Sequence, residues 1–309
     1  MNLETHTELP LQSTKKIWAI GGGKGGVGKS LVSANVAICL ALMGNKVVAV
    51  DLDLGGANLH TCLGLPIPQV TLSDYVSKRV TNFEDLLVPT PIQNLKIISG
   101  AQDELGMANL KHMHKNQIIQ KLHEIDADYV LFDLGAGTAF NTIDFFISAD
   151  KGILVVLPEP TSIENTYRFI KSVFYRRMKM VEGVADLETL IDESMNAKLG
   201  PAGSSPSDLI RRITELDSAV GLRIKNEMAL FRPNLIINQV RSQADIDIGY
   251  SIQSICRKYF GIEMPFPGYL DYDQSVWQSV RKRKPLLIEF PNSKLVTNFD
   301  RIVHRLIES

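Results

Sequence analysis

Directly behind the apolar run IWAI stands the decapeptide GGGKGGVGKS, Gly21 to Ser30. Glycine loses more conformational freedom on folding than any other residue. Six of them in ten positions mark a place where backbone must lie bare. From Gly23 the spacing runs glycine, four residues, Gly28, Lys29, Ser30, the pattern of a phosphate loop. In such a loop the backbone through Lys24, Gly25, Gly26, Val27 and Gly28 turns its amides inward and cradles phosphate oxygens. The helix that follows aims its N-terminus at the same anion. Lys29 is spaced to reach the β- and γ-phosphates, and the Ser30 hydroxyl to bind Mg²⁺.

The flanking sequence predicts a matching fold. KIWAI (16–20) reads as a strand. LVSANVAICLALMG (31–44) has helical spacing and a C-capping Gly44, and KVVAVDLD (46–53) is a second strand, so the unit is a βαβ crossover. LKIISG (95–100), YVLFDL (129–134), GILVVLP (152–158) and NLIINQV (234–240) are continuous apolar runs, as expected of strands covered on both faces. Helical patterns such as NQIIQKLHEI (116–125) separate most of them. The expectation is an α/β fold, a doubly wound, mostly parallel sheet of the P-loop NTPase type with helices on both faces. A flexible polar arm is expected at 1–15 and a single domain over 16–309. Within it, residues 181–232 read as a helical or loop insertion, with helices in ETLIDESMNAKL and LIRRITELDSAV around the loop LGPAGSSPSD (199–208).

Composition narrows the partners. A formal net charge of −1 argues against wholesale binding of a polyanion. It leaves RRMK (176–179) and RKRK (281–284) as local patches for DNA or acidic lipid, with plain solvated surface the more ordinary reading. The three cysteines, Cys39, Cys62 and Cys256, form no CxxC pair, so neither a disulfide framework nor a four-thiolate metal site is expected. A reducing, cytoplasmic setting fits. No signal peptide and no apolar run long enough to cross a membrane is read.

Carboxylates stand where strands end. Asp51 and Asp53 are two apart and share a strand face, which can turn both toward the crevice at the C-terminal edge of the sheet. Asp133 closes the run YVLFDL, where it can bind Mg²⁺ through an outer shell. These motifs, together with Lys24 at the start of the loop, resemble the MinD/ParA family of deviant Walker A ATPases from about Lys16 to Ile307. The resemblance implies ATP hydrolysed to ADP and phosphate with Mg²⁺, and an ATP-dependent homodimer. Lys24 would be the signature lysine that touches the phosphates of the opposite subunit. Asp51 would hold Mg²⁺ through water, Asp53 would position the attacking water, and Asn58 falls at a switch asparagine. Asn238 would hydrogen-bond adenine, with PGYLDYD (267–273) lining the other side of the base. DLGAG (133–137) departs from the family's DxPxG by placing Gly135 where proline is usual.

GANLHTCLGL and VWQSVRKRKPLL are similar to segments of the MinD and flagellar-number-regulator branch. That similarity implies a cytoplasmic spatial regulator of flagella or another polar machine, acting with a regulatory protein partner. A ParA-like DNA-segregation ATPase and a nucleotide-gated module with negligible turnover are the alternatives, and a metal-cluster carrier is disfavoured by the cysteines. KLVTNFDRIVHRLIES (294–309) is amphipathic. It reads as the domain's own last helix rather than a membrane anchor.

Overall fold

The computed structural model describes residues 15–53, 56–100, 112–181, 183–184, 187–196 and 205–309. The expected arm, except Lys15, lies outside them, as does most of the loop at 199–208. Among the described residues the strands are β1 (Lys16–Gly21), β2 (Val47–Leu52), β3 (Val88–Pro89), β4 (Leu95–Ile98), β5 (Tyr129–Leu134), β6 (Lys151–Val156), β7 (Asn234–Val240) and β8 (Gly268–Asp271). They form one sheet in the order β3-β4-β2-β5-β1-β6-β7-β8. Every pair is parallel except β3 with β4.

The helices are α1 (Lys29–Leu42), α2 (Leu59–Cys62), α3 (Leu72–Val76), α4 (His112–Glu124), α5 (Phe140–Ser148), α6 (Pro160–Lys179), α7 (Glu188–Asn196), α8 (Pro206–Leu216), α9 (Ser218–Leu230), α10 (Gln243–Phe260), α11 (Gln274–Lys282), α12 (Leu286–Glu289) and α13 (Lys294–Glu308). The sheet separates two cores. Alternate residues of β1 go to opposite sides: Trp18 and Ile20 join α1, α2, α12 and α13, while Ile17 and Ala19 join the core covered by α3 to α10. A strand buried on both faces needs apolar residues at every position, which is why these runs do not alternate.

The segment read as one helix, LIRRITELDSAV, is two. The chain breaks at Asp217, whose carboxylate accepts the Ala219 and Val220 N–H groups at 2.9 Å and caps α9. An aspartate that satisfies the free amides of a helix start favours a new helix over continuation. α8 and α9 then pack closely, and a Cβ on Gly221 would lie 2.4 Å from the Thr214 hydroxyl oxygen.

The run RRMK is not a free basic patch. It forms the last turn of α6, and its charges reach three different helices. Arg176 pairs with Asp144 of α5 at 2.8 Å, Arg177 with Glu227 of α9, and Lys179 with Asp192 of α7 at 2.5 Å. The helices of 181–232 are thereby tied to the core helix before them. In RKRK, Lys282 and Lys284 both pair with Glu289, at 2.8 and 3.1 Å.

α13 buries Leu295, Phe299, Ile302, Val303 and Leu306, packed on β8 and α1. The ammonium of Lys151, at the start of β6, donates to the Leu306 carbonyl and to Ser309 Oγ. No described helix is long and apolar enough to cross a membrane.

Candidate active site

β1 ends at Gly21 and α1 begins at Lys29, so the glycine loop bridges the C-terminal edge of the sheet to a helix N-terminus. Its glycines serve two purposes. Gly22, Gly23 and Gly28 are hemmed in by protein: a Cβ would stand 2.9 Å from the Val155 carbonyl oxygen, 2.1 Å from that of Asn165, and 2.4 Å from Asn238 Nδ2 respectively. Gly25 and Gly26 have nothing within 4 Å of an added Cβ. Gly26 and Gly28 also adopt φ of 78° and 93°, which glycine alone takes without cost. The bare backbone expected for a ligand is therefore concentrated at Gly25 and Gly26.

That backbone opens on a cavity of about 930 Å³. Gly25, Gly26, Gly28, Lys29 and Ser30 form one wall, Asp53, Gly56 and Asn58 another, and Asn238, Tyr272 and Trp277 a third. Lys29 is buried. Burial lowers the pKa of its ammonium, and the negative Asp133 and Asp53 beside it work in the opposite direction.

β2 and β5 are paired in register, Asp51 opposite Asp133. Both carboxyls are buried. Asp51 accepts the Leu59 N–H at 2.9 Å and the Asp53 N–H at 3.1 Å. Asp133 Oδ1 accepts the Ser33 hydroxyl at 2.8 Å, and the Ser30 hydroxyl lies beside it. Asp133 Oδ2 has no hydrogen-bond partner among the described residues. Burial pushes both carboxyls above the ordinary range, and for Asp51 the charge of Asp133 adds to it. Two acids crowded on one rung with one ammonium nearby leave the site short of positive charge.

Asp53 follows β2 and stands partly exposed on the cavity wall. Asp51 and Asp53 are both brought to the crevice, but one is sealed beneath it and the other faces it. Asn238 is 5% exposed and its amide is engaged at both ends. Nδ2 donates to the Val27 carbonyl at 2.8 Å, and Oδ1 accepts the Gln239 N–H at 2.9 Å. It clasps the glycine loop rather than standing free for a base. Lys24 is not brought to the cavity. Its ammonium turns to the start of α6, 3.0 Å from Thr161 Oγ1 and 3.4 Å from Glu159 Oε2.

Sequence reasoning missed Ser33 and Trp277, and reached Tyr272 only as part of the segment PGYLDYD. Ser33 lies one helical turn after Lys29, on the buried side of α1, and the i, i+4 spacing was a usable signal. Tyr272 has the Arg241 guanidinium 3.8 Å from its ring centroid. Trp277 is 63% exposed. The three thiols are pushed up to about 12, chiefly by burial, so none supplies a ready thiolate.

A family model for ParA, described as a NUBPL iron-transfer P-loop NTPase, matches residues 13–204. The chain belongs to the MinD/ParA family of deviant Walker A P-loop ATPases. It is 27% identical to the antiactivator FleN of Pseudomonas aeruginosa over 294 residues, spanning 94% of this chain and 86% of that one. It is 32% identical to the septum site-determining protein MinD of Helicobacter pylori over 181 residues, 58% of this chain and 67% of the other. Among solved structures, the septum site-determining protein MinD complexed with Mg-ADP from Pyrococcus horikoshii OT3 shares the fold, with a TM-score of 0.64 at 24% identity over 94% and 96% of the two chains. MinD/ParA proteins are ATP-hydrolysing enzymes that use ATP or ADP with Mg²⁺, and this chain is one of them.

Proposed function

We propose that the chain is an ATP-dependent dimerising switch that regulates the placing or number of flagella or of another polar machine. The observation that carries the switch chemistry is the constellation at one sheet edge: open backbone at Gly25 and Gly26, buried Lys29, and the Asp51–Asp133 pair. Phosphate oxygens would lie against the Gly25 to Gly28 amides and the start of α1, with Lys29 beside the β- and γ-phosphates. The orphaned Asp133 oxygen and the deficit of positive charge fit a divalent cation. Ser30, Asp51 and Asp133 would hold Mg²⁺, Asp51 through water. No three His, Cys, Asp or Glu side chains among the described residues converge as a complete metal site, which suits an ion that also takes phosphate and water as ligands. Bound Mg²⁺ would offset charge on the transferring phosphoryl group. Asp53, facing the cavity, would hold the attacking water. Adenine would lie on the Asn238 side of the cavity, with Tyr272 and Trp277 at its outer wall.

Lys24 supports the dimer. It lies outside its own cavity, on an exposed surface where a second copy can receive it, and its ties to Glu159 and Thr161 are exposed. Exposed pairs of this kind are worth at most about 1 kcal/mol, so release from them is easy. The flagellar reading rests on the similarity to the antiactivator FleN along nearly the whole chain. A regulatory protein partner is part of it. DNA segregation is weakened by the ion pairs that occupy RRMK and half of RKRK.

Phosphate release from purified protein, with Lys29→Ala as control, tests the enzymatic half. Light scattering with a non-hydrolysed ATP analogue tests the other. A dimer that is lost in Lys24→Ala is expected, and a monomer with its site shown to be occupied would sink the proposal.

A further inference from the structure

We propose that Gly135 is the seat of the Asp53 carboxylate, a positioning residue that sets where the attacking water is held. The inference rests on the reading of Asp53 given above. The β2–β5 ladder runs Asp51 opposite Asp133 and Leu52 opposite Leu134, so the next rung brings Asp53 across from Gly135. A Cβ on Gly135 would stand 3.2 Å from Asp53 Oδ1, 3.4 Å from Cγ and 3.7 Å from Cα. All three nearest atoms belong to that one residue. Steric demand at position 135 therefore acts on the Asp53 side chain first.

Backbone conformation gives no competing reason for this glycine. Gly137 has a φ of 87°, which favours glycine, whereas Gly135 is not among the residues with positive φ. Any L-residue can adopt the backbone there. Gly56 also faces the Asp53 carboxylate, but from farther off, 3.8 to 3.9 Å from an added Cβ. The Asp53 carboxylate makes no side-chain hydrogen bond shown among the described residues, and Lys29 is its charged neighbour. Packing on the bare Cα of Gly135, together with attraction to Lys29, fixes where it stands. The loop after β5 also donates the Gly137 N–H to the Gly22 carbonyl at 3.4 Å. A movement of that loop would carry the seat of Asp53 with it, joining the glycine loop, the β5 loop and the hydrolytic carboxylate in one device.

A side chain at 135 forces the carboxylate aside by a few tenths of an ångström or more. Misplacing a catalytic group by about 1 Å can cost on the order of 100-fold in rate, so a smaller shift should cost less. Phosphate release at saturating Mg·ATP would be measured for wild type, Gly135→Ala, Gly135→Val, Asp53→Ala and the double variant Asp53→Ala/Gly135→Val. The expected result is a kcat lower by roughly three- to tenfold in Gly135→Ala and lower still in Gly135→Val. KM for ATP and melting temperature should stay near wild type in Gly135→Ala, which carries the readout if the valine variant does not fold. The double variant should turn over at the rate of Asp53→Ala alone, because there is no longer a carboxylate to displace. Wild-type kcat in a folded Gly135→Val, a rise in KM with kcat unmoved, or a double variant slower than Asp53→Ala would overturn the proposal while leaving the role of Asp53 standing. Wild-type turnover in Asp53→Ala would remove that role and this inference together.

Discussion

Asn238 shows how a single side chain can serve two ends. Its amide joins β7 to the glycine loop through the Val27 carbonyl, and the space it fills is the space that Gly28 leaves by lacking a side chain. Gln239, next to it, takes a φ of 60°, an uncommon conformation for a non-glycine residue, where the β7–β8 pairing shifts register. Asn238→Ala would leave the buried Val27 carbonyl and the Gln239 amide without their partners, at a cost of about 1–3 kcal/mol. The nucleotide-free protein is therefore expected to melt at a lower temperature. Thermal unfolding without ligand checks this. An unchanged melting temperature with weaker ATP binding would mean that the residue serves the base alone.

At the scale of elements, burial separates the ion pairs that matter from those that do not. Asp144 on α5 receives both Lys115 of α4 and Arg176 of α6. The Lys115 side chain is 5% exposed, so Asp144→Ala strands a buried ammonium and should cost roughly 3–5 kcal/mol. Glu164→Ala, which removes an exposed i,i+4 pair with Arg168, should cost at most about 0.5 kcal/mol. Urea unfolding of the two variants side by side measures the contrast. Lys151 offers a test by pH. Burial lowers its ammonium from 10.5 to about 8, and Lys16 adds repulsion. Between those values the unfolded chain holds a proton that the folded chain has released. Unfolding then takes up a proton, so stability rises with pH across that window. The melting temperature of wild type minus that of Lys151→Met should shift in favour of wild type between pH 8 and 10. A difference independent of pH would refute the shift.

For the whole molecule, the question is what can be released without loss of the fold. α13 contributes Leu295, Phe299, Ile302, Val303 and Leu306 to one core. Each fully buried apolar side chain is worth about 1.5–3 kcal/mol, against a net stability of roughly 5–15 kcal/mol for a whole protein. Removal of residues 294–309 should leave a chain without cooperative unfolding in calorimetry. For the same reason ATP-dependent binding to anionic liposomes through this helix is not expected. Co-sedimentation with ATP, abolished by a truncation that still folds, would reverse that conclusion.

The sequence by itself determined the α/β layering, the position of the phosphate loop and the strand-end acids. These depend on local spacing: continuous apolar runs for strands buried on both faces, glycines before Lys29, and Asp51 and Asp133 at the ends of such runs. Alternation within β1, with Trp18 and Ile20 opposed to Ile17 and Ala19, was already written in side-chain period. What only the tertiary structure decided is which residues distant in sequence share a charge or a contact. Arg176, Arg177 and Lys179 are one basic run in sequence, yet each finds an acid on a different helix. Gly23 owes its lack of a side chain to α6, and Gly28 owes it to Asn238. Gly135 stands next to Asp53 because two parallel strands carry them to the same rung. Spacing along the chain records the period of a helix or strand. Strand order and register, which no local pattern contains, decide which of those residues meet.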